Sequence, residues 1–219
     1  MTGLLSVAGS TASDSGFELK SVRFNDDDSA YLSRTPTSVG NRKTWTFSCW
    51  LKRGNIGVNM DIFHAYTSGD RSQLLIASDD TLKFDFDDSA ANRLVTTQVF
   101  RDPSAWYHIV VAVDTTQGVA ANRVKIYVNG TQVTAFSTTQ YPTLNEEGHI
   151  NEAIQHEISS YDGAGYFIDG YLAEVYFTDG TQLTPSSFGE TNEDTNQWQP
   201  KNSTDIKPTL TFGTNGFYL

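Results

Sequence analysis

The sequence is short of several things, and each shortage excludes something. It has a single cysteine in 219 residues, so no intrachain disulfide can hold the fold together. That residue, Cys49 in TWTFSCWLK, shares a strand face with Trp45, Phe47 and Leu51 and reads as a small buried hydrophobe, not a reactive thiol. No run approaches the roughly 18 apolar residues of a membrane-spanning helix, so membrane insertion is not expected. The opening MTGLLSVAGSTASDSG lacks the basic start and longer apolar core of a signal peptide, which predicts synthesis in a cytoplasm without general secretory export. Basic residues are scarce: 15 Lys and Arg face 26 Asp and Glu, a formal net charge of -11. With no run of basic residues to override that balance, a phosphate backbone is repelled and nucleic acid is not an expected partner. The Gly-x-Ser-x-Gly elbow of a serine hydrolase and the phosphate-binding loop are both missing. His64, His108, His149 and His156 have neither cysteine partners nor compact spacing, which leaves a zinc site unsupported.

A long helical period is missing too, and what stands in its place is alternation. Aromatics make up 12% of the chain, with 13 Phe and 10 Tyr against 2 Met, a profile suited to strands. In SAWYHIVVAVDTT, Tyr107, Ile109, Val111 and Val113 alternate with Trp106, His108, Val110 and Ala112. Both faces are largely apolar, so this strand is expected at the centre of a sandwich. Asn129-Gly130 and Asp79-Asp80 lie between alternating runs as hairpin turns. In GYLAEVYFTDGTQLTPSSFGE, alternation assigns Leu172, Glu174 and Tyr176 to one face and Ala173, Val175 and Phe177 to the other. Asp179-Gly180 then turns the chain, Thr184 and Pro185 open a helical turn, and Phe188 folds back as a lid. The sum is an all-β chain, an antiparallel jelly-roll sandwich of roughly ten to fourteen short strands. Residues 1–16 read as a flexible arm, 17–190 as the jelly-roll domain, and 191–219 as a linker with an apolar docking segment.

Three pieces in order, WTFSCWLKRG, SAWYHIVVAVDTTQGVAANRVKIYVNGTQV and YFIDGYLAEVYFTDGTQLTPSSFGE, resemble the concanavalin A-like, laminin-G-like jelly-roll family. RFNDDDSAYLSRTP, TTQVFRDPSAWYHIVVAVDTTQ, FGETNEDTNQWQPK and FGTNGFYL look like segments of virion proteins of tailed, especially marine, phages. The resemblance implies a virion surface protein, a tail-fibre, spike or capsid-decoration module made in the host cytoplasm. It would partner other virion proteins, form a homo-oligomer and attach to cell-surface glycans without catalysis. The alternative it leaves open is a purely structural decoration protein with no ligand. The family's strand usually carries Asp where this chain has Ala173, so any role of that Asp is in doubt here.

The candidate sites follow from residue chemistry. HEISSYDGAGYF offers Tyr161 and Tyr166 as stacking platforms, Asp162 as an acceptor, His156 beside them, and Gly163 and Gly165 for close approach. Asp85, Asp87 and Asp88, together with Asp26 to Asp28, supply the hard oxygens that Ca²⁺ takes, and the resemblance includes calcium-binding relatives. Asp85 and Asp87 alternate with Phe84 and Phe86, however, as a solvated strand face would. Glycan hydrolysis is not expected, because Glu174 lacks the Glu-x-Asp-x-x-Glu spacing that some members of the fold use. Phe217, Tyr218 and Leu219 are costly to leave in water and are assigned to docking, on the sandwich or on a neighbouring subunit.

Overall fold

The computed structural model describes residues 21–67, 69–87 and 92–219; the expected arm and Asp88 lie outside them. The strands are β1 (Ser21–Phe24), β2 (Leu32–Arg34), β3 (Thr44–Arg53), β4 (Met60–Thr67), β5 (Asp70–Ile76), β6 (Thr81–Asp85), β7 (Arg93–Val99) and β8 (Tyr107–Asp114). They continue as β9 (Val124–Val128), β10 (Thr131–Gln132), β11 (Phe136–Thr139), β12 (His156–Ile158), β13 (Gly170–Asp179), β14 (Gly189–Thr191), β15 (Trp198–Pro200) and β16 (Phe217–Tyr218). The first sheet runs β1-β13-β3-β8-β9-β10, with β16 also on β13; the second runs β11-β7-β6-β5-β4-β12-β2. Every pairing between these strands is antiparallel, and β14 and β15 form a separate hairpin. The expected antiparallel sandwich is the observed fold.

The sheets close on a core of Trp45, Phe47, Leu51, Phe63, Phe84, Ile109, Val111 and Phe177. Phe47 stacks on Phe63 from the opposite sheet at 4.6 Å, and Trp45 meets Phe84 edge-on at 5.9 Å. Each buried aromatic of this size contributes about 1.5–3 kcal/mol of apolar transfer. Cys49 is fully buried within this layer, and burial pushes its thiol far above the ordinary range. Arg53, at the end of β3, ties the sheets together by pairing with Asp80 at 2.9 Å in the β5–β6 turn. Asn129 and Gly130 take φ of 47° and 79°, the left-handed pair that a two-residue hairpin between β9 and β10 requires.

β8 is buried on both faces, as its alternation predicts. Ile109, Val111 and Val113 face the other sheet, while Val110 and Ala112 face outward into a second cluster with Tyr127, Tyr176, Phe188 and Ile206. The cover is residues 183–219, which take in the 191–219 segment expected as a linker with an apolar docking end. They fold as a short turn bearing Phe188, the β14–β15 hairpin, a helical turn α1 (Ser203–Ile206) and β16. Polar composition hides this because the residues that pack on the outer cluster, Leu183, Phe188, Ile206, Leu210, Phe212 and Tyr218, fall at irregular spacing.

One reading of β13 needs correction. Its register slips between Ala173 and Tyr176, where Glu174 sits at φ 49°, so Leu172 faces the core with Val175 and Phe177 and not outward with Tyr176. A bulge inserts one residue, and every later side chain changes face. Phe217, Tyr218 and Leu219, expected to dock on the sandwich or on a neighbouring subunit, lie against the sandwich. Phe217 and Tyr218 pair with Phe177 and Tyr176, and Leu219 exchanges backbone hydrogen bonds with Val175 at 2.9 and 3.1 Å. The Tyr218 and Tyr176 hydroxyls both donate to Glu174, at 2.9 and 2.7 Å. Phe217 and Tyr218 are half-buried on their own sheet, and Leu219 is 40% exposed.

His108 fastens this cover. Its ring lies between Trp50 (4.8 Å) and Trp198 (5.9 Å), accepts the Trp198 indole N–H on Nδ1 at 2.9 Å, and meets the Ser48 hydroxyl through Nε2 at 2.9 Å. A Cβ at Gly130 or Gly189 would come within 2.6 Å of Trp198, so both glycines make room for that indole. Burial holds the His108 imidazole down to about 3 and that of His156 down to about 4. An unfolded histidine takes its proton near about 6.5, so below that pH the unfolded chain binds more protons than the folded one. The stability is complete above about pH 6.5 and lost as pH falls toward 4, by up to about 1.4 kcal/mol per unit for each histidine. Urea unfolding measured across that window should show this slope, and His108→Gln should flatten it while lowering stability at neutral pH. A flat profile in the parent protein would contradict the assignment.

Candidate functional site

The outer face of the second sheet is polar, and a loop lies across it. Strand alternation, with a register shift between Asp61 and Phe63, directs Asp61, His64 and Tyr66 of β4, Arg71 and Gln73 of β5, Asp85 of β6 and Glu157 of β12 away from the core. Asp61, His64, Gln73, Asp85 and Glu157 are nonetheless 2% exposed or less. Residues 159–169, between β12 and β13, help to cover them. Glu157 accepts from Gly163 N at 2.9 Å and from the Ser160 hydroxyl, His64 Nε2 accepts from Asp162 N at 3.3 Å, and Tyr166 O accepts from Asp61 N at 2.7 Å. The loop turns on left-handed residues: Ser159, Asp162, Gly163 and Tyr166 have φ of 70°, 53°, 61° and 57°. At three of these a side chain replaces the glycine such backbone favours, and the bonds to Glu157, His64 and Asp61 hold it there.

Tyr161 and Tyr166 come together as the sequence suggested, with ring centroids 5.5 Å apart. They do different work. Tyr161 is the support: it stacks on His64 at 5.6 Å, meets Tyr66 edge-on at 5.9 Å, lies under the Arg71 guanidinium at 5.2 Å, and accepts from Arg71 Nη1 at 3.1 Å. Tyr166 is the surface, 42% exposed. Asp162 stands exposed in the same loop. An exposed ring on a rigid backing, next to a guanidinium and a carboxylate, can stack on an apolar ligand face and bond its polar edge.

His156 does not join this group. Adjacent residues of a strand face opposite ways, so Glu157 points to the loop and His156 points inward beside Phe63. Its Nε2 accepts from Asn151 N at 3.0 Å and its Nδ1 meets Ile154 O at 2.9 Å, which leaves neither nitrogen for a ligand. It lines a separate side cavity of about 270 Å³ with Leu32, Arg34, Phe63, Phe217 and Leu219.

Among the described residues, the acidic candidates each have separate partners. Asp85 is buried, against the expectation of a solvated face, because Arg93 Nε (2.6 Å) and Lys83 Nζ (2.9 Å) neutralise it. Asp87 accepts from Asn92 Nδ2 at 2.9 Å, and Asp26 and Asp28 accept from Asn55 and Asn25 in a short helical turn. Among the described residues no group of three His, Cys, Asp or Glu could hold a metal ion.

Asp61, His64, Arg71 and Glu157 escaped the sequence reading. Asp61 and His64 are three residues apart, so alternation alone puts them on opposite faces; the bulge between Asp61 and Phe63 brings them together, and nothing local says that a loop ninety residues later covers them. Burial raises the Asp61 carboxyl well above the ordinary range, its Oδ2 accepts from Gln73 Nε2 at 2.5 Å, and its Oδ1 has no hydrogen-bond partner. Sealed beneath the loop, it supports the site and meets no ligand.

The chain belongs to the concanavalin A-like lectin/glucanases superfamily, whose family model matches residues 25–187. No curated protein matches the sequence. Among solved structures, a candidate carbohydrate-binding protein from Bacteroides ovatus is similar over 78% of this chain, with 15% identity and a TM-score of 0.53. This chain covers 46% of that one, and the likeness shows a shared fold. A heptameric SAP-like pentraxin from Limulus polyphemus matches 70% of this chain and 71% of its own, at 17% identity and TM-score 0.46. The sialyllactose-bound CBM40 module of a Ruminococcus gnavus sialidase matches 66% and 90%, at 12% and 0.44.

If Asp61 sits protonated in this buried cluster, Asp61→Asn keeps an acceptor for Gln73 and should change stability by less than about 1 kcal/mol. Asp61→Ala strands the Gln73 amide and should cost about 1–3 kcal/mol in denaturant titrations. A larger loss for Asn than for Ala would mean that the carboxylate is ionised and needed as a charge.

Proposed function

We propose that this protein is a non-catalytic glycan-binding module, with Tyr166 as the stacking surface and Asp162 and Arg71 as flanking polar groups. The observation that carries the reading is the exposed Tyr166 ring braced against Tyr161, which is itself clamped by Arg71 and His64. A braced ring loses little freedom on binding, so a shallow site can hold a sugar without a deep cleft. Membership of a superfamily that contains lectins, and the shared fold with the Bacteroides ovatus protein, support the same reading. The setting we propose is the surface of a tailed-phage virion, where the sandwich would contact other virion proteins and be presented in several copies. That setting rests on the segment resemblances RFNDDDSAYLSRTP and FGTNGFYL. The alternative is a structural protein whose terminal segments latch onto other virion proteins and whose loops bind nothing, the reading that a blank array would favour.

A glycan array probed with the purified chain, with calcium and again with chelator, tests the proposal. Binding is expected, and Tyr166→Ala should weaken it about tenfold without changing the melting temperature. Tyr161→Ala should weaken it as well while loosening the loop. A blank array from folded protein, or full binding by Tyr166→Ala, would sink the proposal. Loss of binding in chelator would point to a metal contributed outside the described residues.

A further inference from the structure

Residues 183–219 cover the middle of the first sheet's outer face. Thr46, Ser48, Trp50, His108, Val110, Ala112 and Tyr176 are all 8% exposed or less. One step toward the far end of the strands the cover stops. There Tyr171 of β13 stands opposite Arg23 of β1 on one side and Lys52 of β3 on the other. Directly opposed residues share a face, so the three side chains project together. Trp106, which precedes Tyr107, the partner of Leu51, continues the row past Lys52, and its ring leans to 6.4 Å from the Tyr171 ring. Trp106 is 37% and Tyr171 39% exposed, and Arg23 is exposed. The row therefore reads cation, ring, cation, ring across neighbouring strands.

Two cations spaced by two aromatic faces are an unusual feature in a chain of net charge -11. Rings without cations would suit any neutral sugar, and cations without rings any anion. Together they suit a flat apolar face that carries a carboxylate at its edge. Strands lie about 4.8 Å apart, close to the length of one pyranose in a chain, so Arg23 and Lys52 stand about 10 Å apart at their Cα positions. Asp102 is the acidic group that feels the Lys52 charge, and its carboxylate is engaged by Ser104 N and Oγ at 2.8 and 2.6 Å. We infer that the Arg23–Tyr171–Lys52–Trp106 row is a second glycan site, on the sheet opposite Tyr166, and that it takes uronic-acid sugars of an acidic polysaccharide.

The test titrates the full chain with a galacturonic acid tetrasaccharide and follows tryptophan fluorescence, since Trp45 and Trp50 are buried and Trp198 is half-buried while Trp106 is exposed. The expected result is a saturable change that weakens about tenfold from low to high salt, because exposed charges are screened. The neutral galactose tetrasaccharide should bind at least about tenfold more weakly. Tyr171→Ala, and the charge-removing pair Arg23→Gln with Lys52→Gln, should abolish or strongly reduce binding, with thermal melts confirming a folded protein. Tyr166→Ala should leave it unchanged, which separates this site from the one proposed above. The inference is overturned if the uronate does not bind, if the neutral sugar binds as well, if Tyr171→Ala binds normally, or if Tyr166→Ala removes the signal. Tighter binding of an oligothymidylate would overturn it too, by showing a surface for single-stranded nucleic acid.

Discussion

The bulge at Glu174 is the constraint on which the first sheet depends. β13 is the long strand that β1, β3 and β16 all pair with, and it must serve a core on one face and a cover on the other. A non-glycine residue at φ 49° costs about 1–2 kcal/mol. The slip it creates turns Leu172, Val175 and Phe177 to the core and aims the Glu174 carboxylate at the Tyr176 and Tyr218 hydroxyls. Hydrogen bonds to a charged acceptor contribute about 1.5–3 kcal/mol each, enough to offset the strain. Through Tyr218 the bulge also fixes where the chain ends and so how residues 183–219 lie on the sheet.

That cover explains why the two outer faces differ. On the first sheet it dries the face around His108 and the two tryptophans that bracket it, and it stops one row short of Tyr171 and Trp106. On the second sheet the 159–169 loop folds over a polar face whose charges are already matched, Asp85 by Arg93 and Lys83, and Glu157 by the loop's own donors. Buried polar groups with partners hold a loop in one shape, and a loop in one shape can present Tyr166 at a fixed angle. The surface proposed for sugars is thus a by-product of how the sheet satisfies its own carboxylates.

Legibility in the sequence varied with how local the cause was. The β8 alternation, the Asn129-Gly130 turn and the Phe188 lid depend on residues within a few positions of one another, and all are in the structure. The tyrosine pair was legible for the same reason. His156 was misplaced because a motif read as a string ignores that neighbouring strand residues face opposite ways. Asp85 was misread because its partners were not weighed: Lys83 shares its own strand face and Arg93 lies directly across from it. The Arg23, Lys52, Trp106 and Tyr171 row was invisible, since it gathers four side chains from four separate stretches of chain.

The sequence by itself determined the class of fold, through period-two alternation, paired turn residues and the absence of any longer helical pattern. It also determined that the core would be aromatic and free of disulfides. Tertiary structure alone decided which carboxylates are neutralised, which tyrosine is support and which is surface, and that the apolar terminus closes on its own sheet. The physical reason is that strand register and a single bulge set the facing of every side chain beyond them. Register is a property of the pairing between distant segments, which no one segment encodes.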